Sequence, residues 1–287
     1  MIKILAFIVT YNRLADLKVC VEAIRNQTYK EFDVLVVNND STDGTREWLE
    51  AQNDILKIHQ ANLGGAGGFY TGQKYAMGHG YDWVWMMDDD GIPAPDQLER
   101  LIEFNSKTGQ KFLNALVLDK EDHSRFSFYS EGWTVEKAKE VEYITDFIHP
   151  FNGTFIHREV MEKVGLVKRE MFIWGDEIEL TLRYRRAGYE PCTVTRAIHY
   201  HPKEKGVTDV VLPGLLRKTV MVKPKNMSKY FYRNMGYIHQ AFYRPRWYKG
   251  LKPMVLYTLY YLRKLDFAEA MKVIKYYRCG LHNDFTN

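Results

Sequence analysis

The stretch Ile2-Lys3-Ile4-Leu5-Ala6-Phe7-Ile8-Val9-Thr10-Tyr11-Asn12-Arg13 opens the chain with an apolar run that stops abruptly in polar residues. A run of this length without alternation reads as a parallel strand buried on both faces. Working outward, residues 14–26 place Leu17, Val21 and Ile24 at helical spacing, and residues 32–37 read as a second strand. The polar turn Asn38-Asn39-Asp40-Ser41-Thr42-Asp43-Gly44 then leads into a helix over residues 45–51. A short strand at 56–60, a helix over 67–80 and an aromatic strand at 83–87 complete the pattern. This order of strand and helix predicts an α/β fold, a mostly parallel sheet flanked by helices with right-handed crossovers. Ligands of such sheets sit outside the carboxyl ends of the strands, so the loops 10–13, 38–44, 62–68 and 88–91 are expected on one rim.

Further along, residues 112–118 and 125–129 read as strands, 131–142 as a charged loop or lid, and 158–164 as a helix. An aromatic loop at 171–174, a helix over 177–187 and a strand at 192–198 follow. Past His201 the texture turns aromatic and basic, with helices expected near 228–243, 253–265 and 267–277. The division expected is therefore a first domain over 1–201 and a helical appendage over 202–287. Charge supports it: residues 1–201 carry 23 Lys and Arg against 31 Asp and Glu, whereas the remaining 86 residues carry 17 against 5.

Composition excludes several classes. With 46% hydrophobic and 26% charged residues the chain is not wholly disordered. Three widely spaced cysteines, Cys20, Cys192 and Cys279, form neither a disulfide framework nor a zinc motif, which suits a reduced, cytosolic protein. No apolar run approaches the roughly 20 residues that a membrane span needs. Nor does the N-terminus carry a signal peptide, since the run breaks at Thr10 with no small-residue cleavage site.

Asp88-Asp89-Asp90 stands directly after the aromatic strand. Adjacent carboxylates at the end of a buried strand repel one another unless a cation neutralises them, and Mg²⁺ or Mn²⁺ holding a diphosphate is one such cation. A solvated acidic turn is the equal alternative on the triplet alone. The loop Asn62-Leu63-Gly64-Gly65-Ala66-Gly67-Gly68 can bring backbone N–H groups to an anion or a sugar, although a flexible turn is its plainer reading. Asp176-Glu177, with Glu179, opens a helix behind Phe172-Ile173-Trp174-Gly175. It reads either as a well-charged helix start or as a carboxylate base beside an aromatic ring that can stack on a sugar. His199 and His201, two residues apart at a strand end, are candidate metal ligands.

In combination these motifs resemble glycosyltransferase family 2. Thr10-Tyr11-Asn12-Arg13, Val37 to Thr45, Asn62 to Gly68, Asp88-Asp89-Asp90 and Trp174-Gly175-Asp176-Glu177-Ile178-Glu179-Leu180 occur in the family's order from Ile2 to about His201. More weakly, Tyr230-Phe231-Tyr232-Arg233-Asn234 resembles a segment of bacterial rhamnosyl- and galactofuranosyltransferases. The resemblance implies a GT-A fold over 1–201, an inverting mechanism, a nucleotide-sugar donor and Mn²⁺ or Mg²⁺. By the same resemblance Thr10, Tyr11 and Arg13 line the nucleotide pocket and Asn38, Asn39 and Asp40 meet the base. Asn62, Gly64, Gly65, Gly67 and Gly68 belong to the donor site. Asp88 and Asp90 address the metal and diphosphate, Asp89 lies nearer the donor sugar, and His199 or His201 helps to hold the metal. Glu177 falls at the general base, with Asp176 its neighbour, and Trp174 meets the acceptor. The chain departs from the family where Asn38 and Asn39 replace aspartate, Asp40 replaces glycine, and Glu177 replaces aspartate.

The glycine run and full aspartate triplet are more similar to galactofuranosyltransferases using UDP-galactofuranose than to rhamnosyltransferases using dTDP-rhamnose. A glycan or lipid-linked acceptor is implied. In the tail, Arg244, Arg246, Lys249 and Lys252 interleave with Phe242, Tyr243, Trp247 and Tyr248. That pattern suits an anionic membrane surface, so the protein is expected in the cytoplasm, peripheral on the inner face of the plasma membrane. A helical core or a homo-oligomer contact is the alternative. A basic aromatic tail also suits a nucleic-acid-binding module with a degenerate nucleotide site, but the acidic rim would repel phosphate chains, and no nucleic acid is expected.

Overall fold

A computed structural model describes residues 2–128, 130, 132–145, 148–203, 208–212, 218–243 and 247–286. The chain forms two compact units, residues 1–169 with 180–204 and residues 170–179 with 205–287.

In the first unit β1 (Ile4–Thr10) is buried along its whole length. Ile4, Ala6 and Ile8 cluster with Leu17, Cys20, Val21 and Ile24 of α1 (Leu14–Arg25), as alternation across a pleated strand requires. Then come β2 (Asp33–Asn38), α2 (Thr45–Glu50), β3 (Ile55–His59) and α3 (Gly64–Gly78). Phe7 and Val9, on the opposite face of β1, lie against α3, where a Cβ on Gly68 would stand 2.3 Å from Val9 Cγ1. β4 (Trp83–Asp88), β5 (Ile92–Pro93), α4 (Gln97–Thr108), β6 (Phe112–Asp119), α5 (Val135–Lys139), β7 (Tyr143–Thr145), β8 (Asn152–His157), α6 (Arg158–Val164), α7 (Asp176–Arg186), whose residues 176–179 belong to the second unit, and β9 (Cys192–His201) follow.

These strands form one sheet in the order β3-β2-β1-β4-β8-β6-β9-β5, with β7 on β9. β3, β2, β1 and β4 run parallel, and β8 joins β4 antiparallel. The chain steps outward from β1 to β3, then returns to place β4 on the other side of β1. Such a reversal leaves a crevice outside the carboxyl ends of the two central strands, where ligands of this architecture bind. Val9 pairs with Asp88 across that point, so Thr10 and the aspartate triplet leave the sheet side by side.

Four local expectations are revised. α3 begins at Gly64 rather than 67, so most of the glycine run is helix rather than loop. The segment from Arg125 forms no strand; only an isolated bridge joins Phe126 to Leu118, because Ser127 turns its side chain in, its one hydroxyl proton shared between Leu118 O and His201 O, instead of extending a ladder. Tyr129 lies outside the described residues. β9 runs three residues past 198, held by Val117, Leu118 and Asp119 on β6, so both histidines lie within the strand. The charged stretch after Glu131, itself outside the described residues, contains α5, capped by Thr134 and anchored by Val135 and Ala138.

The second unit holds the hairpin β10 (Thr208–Leu212) and β11 (Lys218–Met221), then α8 (Ser228–Phe242), α9 (Trp247–Arg263) and α10 (Phe267–Leu281). Val211, Val220, Tyr232, Tyr257, Tyr260, Tyr261 and Val273 form its core. The three helices agree with the periodicity of the tail; the hairpin is a structural addition.

Candidate active site

At the β1–β4 reversal Asp89 is almost fully buried and turned toward β1. Thr10 Oγ1 donates to its Oδ2 at 2.8 Å, and Tyr11 N at 3.4 Å. Asp90 accepts from the Arg13 guanidinium on one oxygen and lies 3.1 Å from His201 Nε2 on the other. Burial alone would raise the Asp90 carboxyl, but His201 and Arg13 reverse this and hold it at about 2. Burial, then the charges of Asp90 and Asp89, push Asp88 up to about 8. Burial also raises Asp89 to about 6 against the opposing pull of Thr10 and Arg13. Arg13 and His201 both contact Asp90, and Arg13 also lies 3.5 Å from Asp89.

The two candidate histidines part company. His201 touches Asp90, and Asp90 and Asp88 raise its affinity for a proton beyond what burial removes. His199 is fully buried, with Nδ1 3.2 Å from Gln97 Oε1 and no hydrogen bond at Nε2. That Nε2 faces Gly91, where a Cβ would stand only 2.2 Å away. Burial and the charge on His201 push His199 down to about 3, so it is a neutral core ring.

Among the described residues no group of three or more His, Cys, Asp or Glu side chains is gathered to hold a metal. The Asp90–His201 pair, beside an Asp88 carboxyl whose proton affinity is raised by burial and then by the charges of Asp90 and Asp89, nevertheless fits a hard divalent ion, which commonly takes one or two protein carboxylates and fills its shell with phosphate oxygens and water.

The neighbouring loops are laced together. Asn12 N donates to Ser41 Oγ at 2.9 Å, Thr42 N to Asn12 Oδ1 at 2.7 Å, and Leu14 N to Asp43 Oδ2 at 2.8 Å. Asn38, fully buried, accepts from Ser41 N and meets His59 Nδ1 at 3.1 Å. Asn39 donates to Gly64 O and accepts from Gln60 Nε2, tying β2 to the start of α3. Asp40 has φ of 66°, the left-handed region that glycine tolerates best, which accounts for the glycine usual in the family. Asn62 Oδ1 accepts from Gly64 N at 2.9 Å, and Gly65 in the next position has open space where a side chain would stand. Gly67 packs on Leu63 and Gly68 on Val9, so these two glycines serve helix packing.

Asp176, Glu177 and Trp174 belong to the second unit. Asp176 and Glu179 are buried, and the Glu177 carboxylate accepts from Gly175 N at 2.9 Å. Phe172, Trp174 and Gly175 all have positive φ (67°, 61° and 91°), a tight backbone that needs support from outside. Lys223 Nζ lies 4.8 Å from the Trp174 ring centroid.

Sequence reasoning missed Gln60, His59 and Gln97, whose partners are far away in the chain and leave no local signal. It also assigned no role to Arg233 and Asn234, although the segment containing them was visible as a motif.

Comparison with known proteins bears on the family and the fold. The glycosyl transferase family 2 model matches residues 6–165, which carry the β1–β4 reversal and the aspartate triplet. Galactofuranosyltransferase GlfT1 of Mycolicibacterium smegmatis is 30% identical over 249 residues, 81% of this chain and 82% of the relative. Its counterpart in Mycobacterium tuberculosis is 28% identical over 250 residues, 82% and 81% of the two chains. S. aureus TarS 1–349 in complex with UDP superposes with a TM-score of 0.56 at 15% identity, over 97% of this chain and 90% of that one. Mannosyltransferase PcManGT of Pyrobaculum calidifontis, in complex with GDP-Man and Mn²⁺, gives 0.55 at 18% identity over 95% and 73%. At these identities the solved structures speak for the fold, which is GT-A. A family match over more than half of the chain, joined to 30% identity over most of it, places the protein: it belongs to glycosyl transferase family 2 and is a glycosyltransferase.

Proposed function

We propose that the protein transfers galactofuranose from UDP-galactofuranose, with inversion, onto a hydroxyl of a cell-surface glycan or a lipid-linked saccharide. The observation that carries the donor is the 30% identity, over 81% of the chain, to a protein named galactofuranosyltransferase. In this reading Asn38, Asn39 and Asp40 meet the base, while Thr10, Tyr11 and Arg13 line the nucleotide pocket and Asn62 with Gly64 and Gly65 presents backbone to the donor. Asp88, Asp90 and His201 would hold Mn²⁺ or Mg²⁺, with His201 favoured over His199 by its contact with Asp90. The chemistry such an ion supplies is neutralisation of charge on the departing diphosphate. Asp89 is held by Thr10 and Tyr11 for the donor sugar. Glu177, with Asp176 beside it, takes the proton of the acceptor hydroxyl as the new glycosidic bond forms opposite the leaving diphosphate, and Trp174 stacks on the acceptor.

The test is turnover of purified protein with UDP-galactofuranose or dTDP-rhamnose and a polyprenyl-diphosphate-linked saccharide, with Mn²⁺ or with EDTA. Mn²⁺-dependent release of UDP with transfer of galactofuranose is expected; turnover with dTDP-rhamnose instead would move the donor, and activity unaffected by EDTA would remove the metal.

The acceptor is proposed to be met at an anionic membrane surface. Arg244 and Arg246 lie outside the described residues, as do the side chains of Trp247 and Lys249. The support comes from α9 and α10, which expose Tyr248, Val255, Leu259, Leu262, Phe267 and Met271. Lys252, Arg263, Lys275 and Arg278 are exposed on the same two helices, while Lys264, in the turn after α9, pairs with Asp209. The two acids of this stretch are engaged, Asp266 by Lys225 and buried Glu269 by Ser228 and Lys272. An apolar face edged by cations suits anionic headgroups. No helix among the described residues is long and apolar enough to cross a membrane. Flotation with phosphatidylglycerol vesicles that weakens in high salt is expected. A stable dimer that leaves the vesicles unbound would instead assign this face to a second copy.

A further inference from the structure

The segment Tyr230-Phe231-Tyr232-Arg233-Asn234 of α8 lies outside the catalytic roles drawn above, yet three of its five side chains grip the loop that carries the carboxylates. Asn234 Nδ2 shares its two protons among Met171 O at 2.9 Å, Ile173 O at 3.0 Å and Trp174 O at 2.7 Å. Arg233 Nη2 donates to Glu170 O at 2.8 Å and Met171 O at 3.2 Å, and its Nε lies 3.3 Å from Asn234 Oδ1, which fixes the amide's orientation. Tyr230 stacks on Phe172 with centroids 4.5 Å apart. Arg233 and Asn234 are 2% and 0% exposed. A Cβ on Gly175, at the end of the loop, would stand 2.9 Å from Met235 Cε, 3.3 Å from Ile238 Cδ1 and 3.5 Å from Asn234 Cβ, so α8 also backs the left-handed turn.

We propose that Arg233 and Asn234 are positioning residues of the transfer reaction, fixing the loop 170–175 and through it the aim of Glu177 and Asp176. The contacts form a continuous path: the buried amide and guanidinium hold the loop carbonyls, the loop holds Gly175 at φ of 91°, and Gly175 N donates to the Glu177 carboxylate at 2.9 Å. Packing alone would be served by apolar side chains at these sites. A fully satisfied buried polar network instead specifies one geometry. The base of the clamp is itself locked, because a Cβ on Gly280 of α10 would stand 1.9 Å from Arg233 O. The proposal rests on the carboxylate roles given above.

Asn234→Asp keeps the shape and removes the donating amide; Arg233→Lys keeps the charge and removes the fork. For both, kcat, donor KM, UDP affinity by calorimetry and acrylamide quenching of Trp174 are measured, the last as the difference from the matching Trp174→Phe protein. Misplacement of a catalytic group by about 1 Å can cost on the order of 10²-fold in rate. The expected result is a fall in kcat of about 10- to 100-fold for Asn234→Asp and less for Arg233→Lys, with donor KM and UDP affinity within about twofold and Trp174 more accessible to quencher. Unchanged kcat in both variants overturns the proposal, as does loss of UDP affinity in step with kcat, which marks a general structural role. If Asn234→Asp does not fold, Arg233→Lys carries the same test. Should the wild type turn over no sugar nucleotide, the functional reading fails, and Trp174 quenching alone decides: a rise in the variants supports the clamp and no change refutes it.

Discussion

The rim at the β1–β4 reversal and the loop at 170–177 solve the same problem, placing carboxylates, by different means. Asp88, Asp89 and Asp90 are delivered by a strand end, where parallel pairing with β1 sets Val9 against Asp88 and leaves only side-chain rotation to be settled by Thr10, Arg13 and His201. Asp176 and Glu177 follow a turn with three left-handed residues, and that turn is held by an amide and a guanidinium more than 55 residues further along the chain. Ladder hydrogen bonds make the first arrangement tolerant of side-chain change. The second depends on individual side chains.

The sharpest way to break the comparison is at the base. Glu177→Gln is expected to lower kcat by about 10² to 10⁴ with UDP affinity unchanged. If Asp176→Asn suffers that loss and Glu177→Gln does not, the base lies one residue upstream. On the rim, Asp90→Asn should weaken UDP binding in Mn²⁺ by roughly 10- to 100-fold by calorimetry, since hydrogen bonds and contacts of a charged group are worth about 1.5–3 kcal/mol. Equal UDP affinity with and without Mn²⁺ in the wild type would separate the rim from metal binding.

Smaller effects test the scaffold under the rim. Gly68→Ala drives a methyl into Val9 Cγ1 at 2.3 Å and should destabilise by about 1–3 kcal/mol in urea unfolding. The Asp88 carboxyl, held at about 8, keeps its proton in the folded state while the unfolded chain releases it near the ordinary value of about 4. Its contribution to stability therefore falls as pH rises from about 4 toward 8, the reverse of an ordinary salt-bridged aspartate. Without metal, Asp88→Asn should raise Tm at pH 8 more than at pH 5; a uniform shift would show that Asp88 ionises freely. Smallest of all, Gly65→Ala enters open space inside α3 and should stabilise by about 0.5–1 kcal/mol, while a loss of donor affinity in that variant would show that the donor needs the bare backbone there.

Much of the first unit is legible in the sequence because it is local. Apolar runs such as residues 4–9, helical spacing at Leu17, Val21 and Ile24, and polar turns at the strand ends each report one element over a short window, and the elements expected from residue 2 to 87 lie within a few residues of those found. Where the reading slipped, a distant partner decided. Glycines at 64–68 read as loop because helix propensity disfavours them, but they lie within α3, where close packing on Val9 demands a glycine at Gly68. β8 gave no alternating pattern over its six residues, since both its faces are covered and its neighbours β4 and β6 come from elsewhere in the chain.

Residue type and order by themselves determined the α/β class, the four polar loops of the rim, the acidic triplet and the split in charge at about His201, because each is a property of contiguous residues. Only the tertiary structure decided which histidine meets the triplet, which aspartate turns inward, and that Arg233 and Asn234 hold the loop before Glu177. Those are contacts between residues separated by tens of positions, and side-chain geometry across such distances exists only once the intervening elements have packed.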